Sequence, residues 1–134
     1  MFMLSQGAGM DFGFPDVCIT PVGPVPTPIP YPNIAMTATT APAAYNVLVD
    51  CMPSVNLLSM GLVSLGDQAG VLGGVVDHIM SGQSEYIVGC FTILVDGVPA
   101  QRLTSVTGQN SLGKTPNAPG MCICPSQVTV LTLG

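Results

Sequence analysis

The sequence predicts a small all-β fold of short strands with a proline-rich strap along it. Three observations predict it. The 134 residues include 16 Gly and 13 Pro, too many helix breakers for long uninterrupted helices. The chain is 48% hydrophobic and only 7% charged, so it buries a core and is not a solvated coil. Its apolar runs are short, rich in β-branched and aromatic residues, and separated by turn dipeptides. The clearest spans Ser84 to Leu103, where two such runs meet at Asp96-Gly97, a pair that accepts the positive φ angles of a tight hairpin. The length fits one domain, residues 1–134.

In chain order, residues 1–14 are Gly- and Met-rich without periodicity and read as a frayed or extended start. Residues 15–35 alternate prolines with Val25, Ile29, Tyr31 and Ile34. Proline fixes φ and removes donors, so this reads as a stiff, polyproline-like strap, packed across the body and excluded from a sheet centre. Residues 36–44 form a Thr/Ala-rich loop or edge, and Tyr45 to Met52 a strand ended by Pro53. Glycines at 66, 70, 73 and 74 break residues 62–76 into short strands with tight bends. Residues 104–120 read as a long loop, and the alternation at the end of Met121–Leu133 as a closing strand. Phe91-Thr-Ile-Leu-Val-Asp-Gly97 and Val128-Thr-Val-Leu-Thr-Leu-Gly134 echo one another, as a body of similar short strands requires.

Composition excludes several function classes. A net charge of −5 with Arg102 and Lys114 as the two basic side chains cannot release many counterions from nucleic acid. No basic stretch precedes an apolar run at the N-terminus, so no signal peptide is expected. Residues 55–76 carry Asn56, Asp67, Gln68 and several glycines and make no bilayer span. With so few charges, the surface is covered by apolar and neutral side chains and invites a protein partner. His78 is the lone imidazole, Asp77 beside it would face the other way in a strand, and no nucleophile elbow or phosphate-binding loop is present. The expectation is a protein that is not an enzyme.

Metal binding is the sharper chemical option. Cys122-Ile-Cys124 places two sulfurs on one strand face, and with His78 and a further Cys they could hold Zn²⁺ tetrahedrally. Cys18 is the next candidate, because the strap could carry it to an apex; Cys51 and Cys90 read as core. Equally, free cysteines are commonly small buried hydrophobes.

Pro99-Ala100-Gln101-Arg102, following Asp96-Gly97-Val98, resembles the signature of the PAAR-repeat family, with Gln101 where the second Ala stands. The run Pro28-Ile-Pro-Tyr-Pro-Asn-Ile-Ala35 is similar to the opening of the PAAR-like subfamily. The resemblance implies a cone or three-sided β-prism and a tip protein of a bacterial type VI secretion system. Such a protein caps the blunt end of a trimeric VgrG-type spike, sharpens it for envelope puncture and carries effectors or meets a chaperone. It would reside in the bacterial cytoplasm until fired outward. The resemblance also implies a zinc near the tip held by His and Cys, and a structural role for Arg102. Two other readings stay open: a small Cys/His metal-binding or thiol redox protein, and an adaptor presenting its proline run to an aromatic groove. Lys114, the cation nearest the Cys pair in sequence, would have to activate a redox thiol.

Overall fold

A computed structural model describes residues 1–76, 78–111 and 116–132. Asp77, Lys114 and Leu133 lie outside them. The described residues are nearly all β, as expected, with one 3-10 turn at Thr37–Thr39. Twelve strands are present: β1 (Met10–Val22), β2 (Val25–Met36), β3 (Thr40–Ala41), β4 (Ala44–Val49), β5 (Met52–Ser54), β6 (Met60–Gly61), β7 (Ser64–Leu65), β8 (Gln83–Tyr86), β9 (Cys90–Val95), β10 (Val98–Ala100), β11 (Val106–Ser111) and β12 (Pro116–Cys124). Eight form one curled sheet in the order β3-β6-β8-β11-β12-β1-β2-β7, while β4-β5 and β9-β10 are separate hairpins.

The Asp96-Gly97 hairpin forms as predicted, with φ of 56° and 77° at the two turn residues. Its twin is Ala44–Ser54, where Asp50 and Cys51 take φ of 52° and 65°. The two aligned segments, Ala44–Ser59 and Cys90–Ser105, share Leu48/Leu94, Val49/Val95, Asp50/Asp96, Pro53/Pro99, Leu57/Leu103 and Ser59/Ser105. They also share their flanking ladders. Thr40 pairs with Gly61 before and after the first hairpin, and Tyr86 pairs with Thr107 around the second.

A third unit has the same plan but is split between the two ends of the sequence. Strand β12 leads to residues 127–132, which pair with residues 1–3 and so reach β1, and β1 pairs back onto β12. The three units meet in a closed ring of backbone hydrogen bonds. Leu4 N–H donates to the Gln101 carbonyl (2.9 Å), Gln101 N–H to Val55 (3.3 Å), and Val55 N–H to Leu4 (3.2 Å). A second ring surrounds it: Leu103 donates to Phe2, Gln6 to Pro53, and Leu57 to Pro99. Leu4, Val55 and Gln101 are fully buried on this pseudo-threefold axis. Met3, Ala44, Val49, Val95 and Ala100 form the apolar cluster beside them.

Of the two readings of residues 1–14, the structure takes the extended one: Met3, Leu4 and Ser5 are buried at the ring, and β1 begins at Met10. Two expectations are corrected here. Residues 104–120 are not one long loop, because β11 and β12 lie inside the main sheet, where Thr107, Gln109, Asn110 and Ser111 bury polar side chains that carry no hydropathy signal. Cys51 is not core, because it occupies an exposed hairpin turn.

The strap is likewise not polyproline laid on a body; it is the long hairpin β1-β2. Its prolines fall where a strand tolerates them. Pro26, Pro28 and Pro30 oppose Pro21, Ile19 and Val17. Ile19 N–H and the Val17 carbonyl turn away from β2 to bond residues 73–75. The alternation of an antiparallel ladder then turns the backbone of Pro28 and Pro30 away from β1 as well. The outward rim of β2 therefore lacks N–H donors along the proline run, which blocks addition of another strand.

Residues 61–73 wind with a period of three: Gly61, Ser64, Asp67, Gly70 and Gly73 are buried and the residues between them exposed. That is the repeat of a chain wrapped around a three-sided core, and it brings Asp67 inside.

Three outcomes follow. The Gln101 amide is buried with neither Nε2 nor Oε1 hydrogen-bonded among the described residues. Gln101→Leu is expected to raise stability by about 1–3 kcal/mol in urea unfolding, because it removes two unpaired groups. Leu4→Ala should cost about 2–5 kcal/mol in the same assay. Replacing Pro28 and Pro30 together with Thr restores outward donors, and light scattering should then show self-association absent from the parent.

Candidate functional site

Two features of the fold are candidates for function: a face and a buried cluster. The face is made by the two hairpins and the paired segments 1–3 and 127–132. Tyr45, Phe91 and Val128 occupy equivalent positions and are 63, 67 and 65% exposed. Leu48, Leu94 and Leu131 are likewise equivalent and 62, 60 and 54% exposed. Large apolar side chains held outward at three matched positions make a threefold-patterned apolar surface, with the exposed acids Asp50 and Asp96 at the two hairpin turns. The two hairpins share one burial pattern, interrupted in each by a register shift that departs from simple alternation: Ala44, Val49, Cys90 and Val95 are buried, as are Gln127 and Thr132 of the third unit.

Within the motif, Asp96 and Gly97 form the turn, Pro99 accepts from Leu57, and Ala100 is fully buried. Arg102 N–H donates to Ser105 Oγ (2.9 Å), and Ser105 N–H returns to the Arg102 carbonyl. Asn56 and Ser59 make the same reciprocal turn after the first hairpin. The tetrad is thus the second of two equivalent bends, and its place in the triad Leu4, Val55, Gln101 explains why a residue as large as Gln fits at its third position.

The buried cluster lies at the root of the β1-β2 hairpin. Asp16 and Cys18 come from β1 and Asp67 from the winding segment; all three are fully buried. Cys18 Sγ lies 3.6 Å from Asp16 Oδ1 and 3.5 Å from Asp67 Oδ2. Asp16 accepts from Asn33 Nδ2 (2.7 Å), Asn110 Nδ2 (3.4 Å) and the Asn117 amide. Asp67 accepts from Ser81 N–H (3.1 Å) and Ser81 Oγ (3.3 Å). Burial, reinforced by Asp67, holds the Asp16 carboxyl above its ordinary range. Burial beside two carboxylates pushes the Cys18 thiol well up, so it is no activated redox nucleophile.

Of the expected metal ligands, His78 is exposed, at φ 60°. Cys122 and Cys124 do share a strand face, with Ile123 exposed between them. Cys122 is fully buried, however, and pairs across strands with Asp11. Among the described residues, the one group of three or more His, Cys, Asp or Glu with ligand atoms within 4.8 Å of one another is Asp16, Cys18 and Asp67. His78, Cys122 and Cys124 are not members of that group. Cys18 is the expected ligand that falls in the observed cluster. Asp16 and Asp67 are far apart in sequence and carry no local motif, so no sequence signal singled them out.

A third buried acid completes the electrostatics. Asp11 accepts from Tyr86 Oη (3.1 Å), and burial raises its carboxyl to about 6 against the partial opposition of Cys122 and Tyr86. Among the described residues no helix is long and apolar enough to cross a membrane. The toxin PAAR-like domain family model matches residues 9–127. No curated protein and no solved structure matches the chain.

The Asp11 shift fixes a pH dependence. The folded form binds this proton more tightly than the unfolded chain does, so stability is highest below the ordinary carboxylate range and falls as pH rises through about 6. The change is about 3 kcal/mol at most. Thermal unfolding between pH 4 and pH 7 should show it, and Asp11→Asn should make the curve shallower, leaving the contribution of Asp16, and raise stability at pH 7.

Proposed function

The chain belongs to the toxin PAAR-like domain family, and from that premise we propose that it caps the trimeric VgrG-type spike of a type VI secretion apparatus. The observation that carries this reading is the pseudo-threefold face. A spike of three identical chains ends in three identical sets of strand termini. A single chain can satisfy all three only by presenting three equivalent surfaces. Tyr45/Phe91/Val128 and Leu48/Leu94/Leu131 supply such a set. Docking them would cover apolar surface on this chain and finish the open strand ends of the spike.

The role in this proposal is mechanical and not catalytic. The β1-β2 hairpin, stiffened by proline, forms the projecting end. The chain would be loaded onto the spike in the bacterial cytoplasm and leave with it, and an effector or chaperone would associate without covalent attachment.

The test is association with a purified trimeric VgrG-type spike protein. One cap per trimer is expected. Leu94→Asp should weaken binding at least about tenfold, because a carboxylate buried there without a partner is costly, and Leu48→Asp with Leu94→Asp should abolish it. Phe14→Asp, at an exposed site away from the hairpin face, should leave binding intact. Full binding by the double variant, with its circular dichroism unchanged, would sink the proposal.

A further inference from the structure

We propose that Asp16, Cys18 and Asp67 form a binding site for one divalent cation of the zinc type, built without histidine. This inference does not depend on the capping role.

The geometry comes first. A tetrahedral ion with one thiolate and carboxylate ligands places sulfur about 3.6 Å from each ligating oxygen, given ordinary Zn–S and Zn–O lengths. Cys18 Sγ lies 3.6 Å and 3.5 Å from one oxygen of each aspartate. A single S–H proton serves one acceptor at a time, yet two carboxylates converge on the sulfur. The groups acting most strongly on Asp16 and Cys18 are burial, one another, Asp67 and neutral amides. A divalent cation would balance that set.

A second observation is independent of the three ligands. Asn33 is fully buried, donates its amide to Asp16, and leaves Oδ1 without a partner among the described residues. That orphaned carbonyl oxygen beside the cluster is the natural fourth donor. The surroundings match those of a metal site. Asn110 and Asn117 orient Asp16, and Ser81 orients Asp67, as outer hydrogen bonds do around ligating carboxylates.

Space is kept by glycines. A Cβ on Gly70 would lie 2.2 Å from Cys18 Cβ, and one on Gly82 would lie 2.7 Å from Asn110 Oδ1. The thiolate selects zinc-type ions over Ca²⁺ or Mg²⁺, which take oxygen donors. Such an ion would tie β1, β2 and the winding segment together at the base of the projecting hairpin.

The experiment uses the intact protein, stripped with chelator and titrated separately with Zn²⁺ and Co²⁺. One Zn²⁺ per chain by elemental analysis is expected, with a melting temperature that rises with Zn²⁺ concentration. Co²⁺ should give visible tetrahedral bands and a near-ultraviolet thiolate band. Cys18→Ser should remove the thiolate band. Asn110→Ala, an outer-shell change, should weaken binding about 10–100-fold. Cys122→Ser and His78→Gln should change neither. If Cys18→Ser does not fold, the native titration still decides. No Co²⁺ band and no Zn²⁺-dependent melting shift would overturn the proposal in favour of a proton shared between the two aspartates. A thiolate band lost in Cys122→Ser instead would overturn it in favour of a different site.

Discussion

Everything in this molecule depends on the ring of three backbone hydrogen bonds that links Leu4, Val55 and Gln101. Each residue follows the second strand of a hairpin or its equivalent, and each donates to the next, so no unit can close the ring alone. The N–H and carbonyl groups at the ring are buried and must be paired, since an orphaned buried backbone group costs as much as a lost hydrogen bond. The constraint forces two short hairpins and the paired terminal segments to share one axis and turns apolar side chains outward in matched sets.

The ring also explains the mixture of order and irregularity elsewhere. On one side of it the hairpins repeat with nearly the same burial. On the other side the three flanking ladders merge into one curled sheet, and the repeats diverge: β1 runs 13 residues, while β3 has two. The long hairpin grows from this divergence. Its polar root, where Asp16 and Cys18 meet Asp67 and three asparagines, stands in place of a hydrophobic core. A narrowing three-sided body has little apolar volume to bury, and side-chain hydrogen bonds fill that interior. The two acids there and Asp11 make the interior sensitive to protonation and to cations, while the hairpin face at the opposite side of the ring is apolar, with Asp50 and Asp96 at its turns.

Legibility in the sequence followed the range of the interaction. The Asp96-Gly97 hairpin was legible because turn chemistry is local. Its twin at Asp50-Cys51 was hidden because Cys51 is an unusual residue for a positive φ, although Leu48, Val49, Asp50 and Pro53 repeat Leu94, Val95, Asp96 and Pro99. Strand β11 was hidden because Thr107, Gln109, Asn110 and Ser111 are polar and buried. At the candidate metal centre, Cys18 was readable as a candidate ligand, but Asp67 was not. Only the period-three winding of residues 61–73 brings it inward.

By itself the sequence determined the all-β class, the hairpin at Asp96, the family, the apolar and weakly charged surface, and the stiffness of the proline run. These rest on composition, φ preference and short motifs, which act within a few residues. Tertiary structure alone decided that two hairpins and a third, split unit share an axis, that residues 1–5 complete that third unit, and that the prolines of β2 line a free edge. It also decided which cysteine meets which acid. Those outcomes depend on pairings between segments distant in sequence, and neither hydropathy nor turn chemistry specifies a partner.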